Sequence, residues 1–389
     1  MDIDRYRAET PGTRAVVHLN NAGSALPPQP VLDAVIEHLT LEAAIGGYEA
    51  AERNAATLDH AYDAVARLLN CAREEVALVE SATMGWDMAF YALRFGPGDR
   101  ILTSMAEYAS NVIPFLQVAR RTGAVVEVIP DDEDGQLDVA ALERMLDDRV
   151  RLIAVTHVPT NGGLVNPAAA IGRIARAAGV PYLLDACQAA GQMPLDVEEL
   201  GCDFLSATGR KFLRAPRGTG FLYVRKPWLE RLEPPFLDLH GAELVAPDRY
   251  ALRPDARRFE LWECNVAARI GLGVAVDYAL SVGLDAIRDR VRGLAGLLRD
   301  RLATLPGVTV RDRGRERCAI VTFTVEGRAA ASVKAALRAQ GINVSVSVAS
   351  STRFDMDARG LSEVVRASPH YYNTEEELDR LVAAVRSLP

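Results

Sequence analysis

The chain contains 389 residues, of which 49% are hydrophobic and 25% are charged, and this composition is typical of a globular protein with a large core. A chain of this length is expected to form about two to three domains. The net charge of −8, without a basic stripe, argues against a nucleic-acid partner. The N-terminal stretch MDIDRYRAET lacks the apolar region of a signal peptide, and no apolar run reaches the roughly 20 residues of a membrane span. We therefore expect a cytoplasmic protein without a membrane partner.

The cysteines are scattered along the chain and bear on redox state and metal binding. They form no C-x-x-C pair and no cluster with histidine at metal-ligand spacing, so no metal site is predicted. An odd number of cysteines without a disulfide pattern favours a reducing compartment. The five are Cys71, Cys187, Cys202, Cys264 and Cys318.

Between about residues 60 and 225, short apolar runs alternate with amphipathic stretches. The predicted strands are EEVALVES, DRILTSM, AVVEVIP, VRLIAVTHV, VPYLLDA, CDFLSAT and GTGFLYVR. The predicted helices are the stretch from Met84 to Leu93, NVIPFLQVARRTG, LDVAALERMLDD and PAAAIGRIARAAG. Nearly continuous apolar strands separated by helices indicate a parallel sheet that is covered on both faces.

After about residue 255 the order of elements changes. A helix-rich stretch, NVAARIGLGVAVDYAL through RGLAGLLRDRLATLPG, precedes strands VTVRDR and CAIVTFTV, helix AAASVKAALRAQG and strand INVSVSV. A final helix is expected to open at Thr374, where Glu377 completes a capping box. The chain is therefore predicted to form a large domain over residues 16–255 and a smaller α/β domain over residues 1–15 and 256–389.

Two charged residues stand out at the expected ends of neighbouring strands. Asp185 closes the apolar strand VPYLLD, where a buried carboxylate needs a cation or good hydrogen bonds. Lys211 follows in SATGRKFLRAPRGTG beside Arg210 and Arg214, whose like charges favour a neutral, nucleophilic amine. Taken singly, Asp185 is equally a turn cap, and a lone lysine is more often a solvated surface residue.

Two further features suit anionic groups. Ser81, Ala82 and Thr83 follow strand EEVALVE and open a helix, so their backbone N–H groups and hydroxyls form a candidate phosphate site, or an ordinary helix cap. Arg366, in VVRASPHYYN, suits bidentate binding of a substrate carboxylate, or a structural ion pair with a nearby glutamate. Together with Lys211 and Asp185, these features provide the parts that pyridoxal phosphate and an amino-acid substrate require.

The stretch CDFLSATGRKFLRAPRGTGFL resembles the lysine signature of class V aminotransferases, and the resemblance extends from HLNNAGSALPP to RASPHYYNTEEELDRL. It implies a fold-type I α/β enzyme that uses pyridoxal 5'-phosphate, usually as a homodimer with active sites at the subunit interface. Family members include cysteine desulfurases, selenocysteine lyases and isopenicillin N epimerase. The segments AAIGGYEAAE, Glu107-Tyr108 and SATGRKFLRAPRG are most similar to hercynylcysteine sulfoxide lyase.

The resemblance also implies roles for individual residues. Lys211 looks like the residue that holds the cofactor covalently and transfers protons, and Asp185 like the partner of the pyridine nitrogen. Gln188 resembles the hydrogen-bond donor to the phenolic oxygen, and Tyr108 stands where many relatives stack a histidine on the ring. The implied phosphate site comprises Ala82, Thr83, Thr208 and Arg210. Thr160 stands where relatives carry an asparagine near the phenolic oxygen. Asn20 and Arg366 are candidate substrate contacts, and Tyr48, after Gly46-Gly47, belongs either to a loop that reaches the substrate or to the packing of a helix end.

One departure from the family bears on the reaction. Where cysteine desulfurases carry a catalytic cysteine on a mobile loop, the stretch NVSVSVASSTRFDMDARG has only serines. A hydroxyl does not accept sulfur as a thiolate does. We therefore predict a carbon–sulfur or carbon–selenium lyase without a persulfide cysteine. An aminotransferase or epimerase remains the alternative, with a non-catalytic binding protein less favoured, and the absence of G-x-G-x-x-G argues against a dehydrogenase.

Overall fold

The computed structural model describes residues 1–388. Its helices are α1 (Ile3–Ala8), α2 (Gln29–Ile45), α3 (Gly47–Arg53), α4 (Ala55–Leu69), α5 (Ala82–Ala92), α6 (Ala109–Thr122), α7 (Val139–Met145), α8 (Ala168–Ala178), α9 (Val197–Leu200), α10 (Lys226–Leu229), α11 (Val266–Val282), α12 (Leu284–Ala303), α13 (Ala330–Ala339), α14 (Arg353–Ala358) and α15 (Glu375–Arg386). Its strands are β1 (Val17–His18), β2 (Val76–Val79), β3 (Arg100–Ser104), β4 (Val125–Ile129), β5 (Val150–Thr156), β6 (Tyr182–Asp185), β7 (Phe204–Thr208), β8 (Gly220–Val224), β9 (Ala242–Ala246), β10 (Arg249–Leu252), β11 (Val308–Val310), β12 (Val321–Val325), β13 (Ile342–Asn343), β14 (Ser345–Val348) and β15 (Glu363–Ala367).

A central seven-stranded sheet has the strand order β2-β8-β7-β6-β5-β3-β4, which confirms the predicted mainly parallel sheet. Only β8 runs against its neighbours, β7 and β2. The segment between β7 and β8 is residues 209–219, which is too short for the helical crossover that a parallel return requires, so the chain turns back antiparallel. Lys211 lies in this return.

The register of the sheet brings several strand ends to one edge. Thr156, the last residue of β5, is opposite Asp185, the last residue of β6. Asp185 is in turn opposite Ser206 of β7, two residues before that strand ends at Thr208. Ligands of open α/β sheets bind at the carboxyl ends of the strands, so this edge is the expected place for a site.

A second sheet, with the order β11-β12-β15-β14, is antiparallel and carries its own apolar core. Arg366 lies on β15 and pairs across the strands with Thr322 and Ser345. A short strand, β1, pairs in parallel with β13 and so joins the N-terminal segment to this part of the chain. The capping box of α15 is confirmed, since Thr374 Oγ1 accepts from Glu377 N at 3.4 Å and Glu377 Oε2 accepts from Thr374 N at 3.2 Å.

Several elements have no counterpart in the sequence predictions: helices α1 to α4, the β9–β10 hairpin, and strand β15. Helix α11 lies beyond residue 255, yet it packs against α4 and α2 and contributes Leu272 and Val276 to the larger core. Helix α11 thus packs with the predicted large domain, although it lies outside the predicted range of residues 16–255. The domain boundaries stay a prediction.

No single helix among residues 1–388 is both long and apolar enough to cross a membrane, although α11 and α12, bent by 78° at their junction, pass as a pair by length and composition alone. Within the same residues, no group of three or more histidine, cysteine or acidic side chains is arranged to hold a metal ion. The cytoplasmic location stays a prediction.

Candidate active site

Lys211 is the only one of the three lysines in the sequence that the fold buries. It is 9% exposed, whereas Lys226 is exposed and Lys334 is half-buried. Its ammonium group interacts with the Cys187 thiol and the Asp185 carboxylate and lowers the pKa of both, although burial has the larger effect and raises both values. The lysine that the sequence singled out is therefore enclosed at the strand edge rather than solvated on the surface.

Arg214 holds the Lys211 loop in place instead of flanking the lysine as a free charge. It adopts a left-handed backbone conformation with φ of 64°, and its buried guanidinium lies 4.6 Å from the ring centre of Tyr372. It donates to the carbonyl of Leu26 at 2.9 Å and to the hydroxyl of Thr10 at 2.6 Å. The donors of Arg214 are used in these structural contacts, and the expected effect of its charge on the Lys211 amine stays a prediction.

Asp185 is a buried carboxylate with hydrogen bonds but without an ion pair among residues 1–388. It is 5% exposed, and its Oδ1 accepts from the backbone N–H of Cys187 at 2.8 Å. Its Oδ2 accepts from Nδ2 of Asn111 at 2.9 Å. Burial, the larger effect, raises the pKa of Asp185, and the two hydrogen bonds oppose it. A cationic ring nitrogen beside this carboxylate would satisfy the charge that burial penalises.

Asn111 and Glu107 are buried polar residues to which the sequence analysis gives no role. Glu107 is 1% exposed and follows β3, and Asn111 lies one helical turn later in α6. Asn111 Nδ2 donates to Glu107 Oε1 at 2.8 Å as well as to Asp185. The spacing of four residues between Glu107 and Asn111, at the start of a helix, could have indicated that these two side chains meet. The contact between Asn111 and Asp185 could not be predicted in this way, because the two residues are 74 positions apart.

The candidate phosphate site lies where β2 leads into α5. Ser81 caps the helix by accepting from Met84 N at 3.1 Å, so the serine provides the cap, while Ala82 and Thr83 form the first helical turn. Gly220 of β8 approaches this turn closely, since a Cβ there would lie 2.9 Å from the carbonyl carbon of Ser81. Thr83 is exposed, which leaves its hydroxyl open to a ligand.

Thr208 ends β7 opposite Gly220, and Arg210 lies in the loop of Lys211. Thr208 Oγ1 donates to the carbonyl of Thr219 at 3.1 Å, and Arg210 donates to the carbonyl of Gly23. The segment of Gly23 thereby lies next to the loop. Arg210 forms no ion pair with a carboxylate in the described part of the chain, so its charge is available to an anion.

Arg366 is buried and has no carboxylate partner within the described residues, so the alternative of a structural ion pair is not observed. It is 7% exposed, its Nη1 donates to Thr160 Oγ1 at 2.6 Å and to the Thr160 carbonyl at 3.1 Å, and its Nε lacks a partner. Burial, the largest effect, lowers the pKa of Arg366 to about 10. A buried guanidinium with a free donor suits an incoming carboxylate.

Thr160 links Arg366 to Gln188. Its hydroxyl oxygen accepts from Gln188 Nε2 at 3.2 Å in addition to Arg366. Gln188 Nε2 also donates to the carbonyl of Ala22 at 3.1 Å, while Gln188 Oε1 is buried without a partner. Asn20 Oδ1 is similarly without a partner. Residues from four distant segments thus converge, and unsatisfied buried polar atoms among them are ready to bind a ligand.

The two tyrosines assigned to the site are placed differently. Tyr108 precedes α6, is half-buried, and lies close enough to Arg366 to influence its pKa. Tyr48 lies in α3 with 77% of its surface exposed, and α3 packs against α2 and α4. The placement of Tyr48 at the substrate stays a prediction.

These residues fit pyridoxal phosphate. The amine of Lys211 and the carboxylate of Asp185 lie at one edge of the sheet, the turn at Ser81 offers an anion site, and the partnerless Nε of Arg366 lies nearby. The fold and this set of groups are those of fold-type I enzymes that depend on pyridoxal phosphate. A model of the family described as "Aminotransferase class-V" matches residues 17–381, and the chain belongs to that family.

Curated relatives and solved structures agree with this assignment. A protein of Xylella fastidiosa named probable cysteine desulfurase is 32% identical over 403 residues, which span 99% of this chain and 95% of the relative. The apo structure of the cysteine desulfurase of Thermococcus onnurineus has a TM-score of 0.92 and 28% identity, covering 98% of this chain and 97% of the other. The structure of the Escherichia coli cysteine desulfurase CsdA has the same TM-score and identity, covering 99% and 98%.

A more distant structure shares the fold. The structure titled as a complex of the cystine C-S lyase C-DES with cysteine persulfide has a TM-score of 0.87 at 23% identity and covers 97% of this chain and 99% of the other. At that identity the likeness supports the fold alone. The closer resemblance to hercynylcysteine sulfoxide lyase stays a prediction.

Proposed function

We propose that this protein is a pyridoxal-phosphate-dependent lyase that releases a sulfur or selenium group from the β-carbon of an amino acid, without a cysteine persulfide. The observation that carries the proposal is the convergence of Lys211, Asp185 and the unpaired Arg366 at one strand edge. The loop that holds the persulfide cysteine in desulfurases has serines here.

Each residue has a distinct task. Pyridoxal phosphate, when bound, supplies an electron sink beside the substrate Cα. Lys211 would hold the cofactor through its Nζ, and the same Nζ, when free, would accept the substrate Cα proton. Asp185 keeps the ring nitrogen protonated, and Arg366 binds the substrate carboxylate. Loss of the β-substituent followed by hydrolysis gives pyruvate and ammonia.

Because several relatives are named cysteine desulfurase, the main alternative is a desulfurase in which a cysteine of the chain accepts the sulfur. Cys187 is the cysteine whose thiol interacts with Lys211. Burial, the larger effect, raises the pKa of Cys187, and the thiolate, not the thiol, attacks sulfur. The serines at 350 and 351 occupy the short 3-10 turn Ala349–Ser351, and none of these hydroxyls replaces a thiolate. We therefore expect sulfur to leave without attachment to the chain.

One experiment separates these outcomes. The protein, saturated with pyridoxal phosphate, is incubated with cysteine and a panel of cysteine conjugates, while pyruvate release and persulfide on the protein are measured. Stoichiometric pyruvate, with no persulfide detected by mass spectrometry, supports the lyase. Alanine as product, with sulfur carried on Cys187, would overturn the proposal in favour of a desulfurase. Conversion of the cofactor to pyridoxamine phosphate, or inversion of the substrate, would instead identify an aminotransferase or an epimerase.

We also propose a homodimer. Leu32, Ile36 and Leu39 of α2 follow helical spacing and are 39%, 51% and 48% exposed, and Tyr48 of α3 adds to this apolar surface. Burial of this surface in a partner would also place Tyr48 in an interface, where relatives complete the active site. Light scattering of the eluting protein is expected to give twice the chain mass of 42.1 kDa. A monomer would contradict this.

A further inference from the structure

The carboxamide of Asn111 connects two buried carboxylates. Its Nδ2 donates one hydrogen to Asp185 Oδ2 at 2.9 Å and the other to Glu107 Oε1 at 2.8 Å. All three side chains are at least 95% buried, since they are 2%, 5% and 1% exposed, respectively. Water therefore does not replace either hydrogen bond.

Glu107 is surrounded by donors on both oxygens. It accepts six hydrogen bonds, of which three come from hydroxyl groups, two from backbone N–H groups and one from an amide. The donors are Thr103 Oγ1, Ser104 Oγ, Tyr108 N, Asn111 Nδ2, Thr156 N and Thr156 Oγ1. Burial, the largest effect, raises the pKa of Glu107, and the hydrogen bonds from Thr156 and Asn111 oppose that rise. A carboxylate only accepts hydrogen bonds, so all six donors are used when Glu107 is charged.

This set determines which way the Asn111 carboxamide faces. Because Glu107 offers only acceptors, Asn111 must present its NH₂ group, and the second hydrogen of that group then reaches Asp185. Reversal of the carboxamide would place its oxygen against Asp185 Oδ2, which brings two acceptors together in a buried site. Asp185 would then keep only the N–H of Cys187 as a hydrogen-bond donor.

We propose that Glu107 is a positioning residue that acts through Asn111 to keep Asp185 an ionised, correctly oriented partner for the cofactor's ring nitrogen. The proposal rests on the role assigned to Asp185 above. Glu107 itself does not touch substrate or cofactor in this arrangement.

The test uses holoprotein without substrate, so that it is independent of which reaction the enzyme performs. Glu107→Gln preserves shape but gives the side chain an NH₂ group that faces Asn111 or the backbone donors. The measurement is the ¹⁵N chemical shift of ring-labelled pyridoxal phosphate, with borohydride trapping as a check that Lys211 still holds the cofactor. Loss of one hydrogen bond to a charged group is expected to lower the pKa of the ring nitrogen by about one to two units.

Glu377→Gln is the matched control. Glu377 is also a buried glutamate that accepts from an asparagine, Asn373, at 2.7 Å, but it belongs to α15 and is far in sequence from Asp185. Its substitution is expected to lower the unfolding temperature without changing the ¹⁵N shift. If Glu377→Gln moved the shift as much as Glu107→Gln, the effect would be one of general stability and the proposal would be overturned.

A second variant distinguishes action through Asn111 from a direct charge effect, and it also serves if Glu107→Gln does not fold. Asn111→Ala is expected to produce the same ¹⁵N change, and the double variant should be no worse than Asn111→Ala alone. Additive effects, or an unchanged shift in Asn111→Ala, would overturn the proposal. Asp185→Asn gives the limit: if it too leaves the shift unchanged, the role of Asp185 itself is wrong.

Discussion

Nη1 of Arg366 lies 2.6 Å from the hydroxyl oxygen of Thr160, and this contact joins the part of the site expected to bind substrate to the part expected to bind cofactor. The same hydroxyl accepts from Gln188. The hydroxyl of Thr160 accepts both of these hydrogen bonds, and its own proton remains free to donate.

Lys211→Ala is expected to abolish covalent cofactor binding, since no other lysine is near the strand edge. The near-visible absorbance and turnover should disappear together, and borohydride should leave no pyridoxyl adduct. Lys226→Ala, which changes an exposed lysine, is the control and should keep both. Retention of the absorbance in Lys211→Ala would remove Lys211 from its assigned role.

Arg366→Ala is expected to raise KM for amino acids by about 10- to 100-fold, because it removes a charged hydrogen-bond donor from the carboxylate. The cofactor spectrum should persist. Arg311→Ala, whose half-buried side chain donates to Thr324 in the same sheet, controls for loss of an arginine there. An unchanged KM in steady-state kinetics of Arg366→Ala would refute the clamp.

Thr160→Val is expected to destabilise the fold by about 1–3 kcal/mol, because the donors of Gln188 and Arg366 lose a buried acceptor. Urea denaturation of the cofactor-free protein measures this loss. Thr160→Ser keeps the hydroxyl and should remain close to the parent protein. Equal stability of the valine and serine variants would mean that the hydroxyl carries no net energy.

Gly220→Ala is expected to weaken cofactor binding, because the new Cβ would lie 2.6 Å from the carbonyl oxygen of Ala207 and 3.1 Å from the backbone nitrogen of Ala82. The displaced helix turn is the one that faces the phosphate. Titration with pyridoxal phosphate should show a higher Kd. Gly96→Ala, where the nearest atom would be 3.7 Å away, should bind as the parent does.

The contribution of His157 to stability is expected to be lost as pH decreases from 6.5 toward 4. Burial, the largest effect, lowers the pKa of His157 from 6.5 to about 4, so in that window the unfolded chain binds the proton more readily than the folded protein. The full difference is worth about 3 kcal/mol, present above pH 6.5 and lost by pH 4.

His157→Gln should flatten the pH dependence of the free energy of unfolding. His18 and His370, whose pKa values burial also lowers, contribute a residual slope of the same sign. Asp87 and Asp131, whose pKa values burial raises to about 6, contribute a slope of the opposite sign. A slope that is the same in His157→Gln and the parent would contradict the assignment.

The sequence predicts the parts of the site that are local in the chain. Asp185 ends a buried strand, Ser81 to Thr83 open a helix, and Lys211 precedes a glycine-rich return, and each is recognisable within a short window. The unpartnered Nε of Arg366 could not be predicted from the sequence. Whether Arg366 forms an ion pair depends on which carboxylates the second sheet brings near it.

The features that the sequence did not predict are those formed by strands distant from one another in the chain. The donors around Glu107 come from β3, β5 and α6, so their convergence depends on sheet order rather than on spacing. Helices α2 and α4 were not assigned, and strand β15 was not recognised although Arg366 within it was. Tertiary pairing with β12 and β14 determines that strand.

The anchoring of Arg214 has a consequence for how the protein matures. The segment that carries Lys211 is tied by this one guanidinium to Thr10, Leu26 and Tyr371, which are separated from it by 204, 188 and 157 residues. Contacts at such separations form late, after long loops have closed. The Lys211 amine is therefore positioned only after the N-terminal and C-terminal segments have both packed against its loop. Partially folded forms of the chain should not bind pyridoxal phosphate.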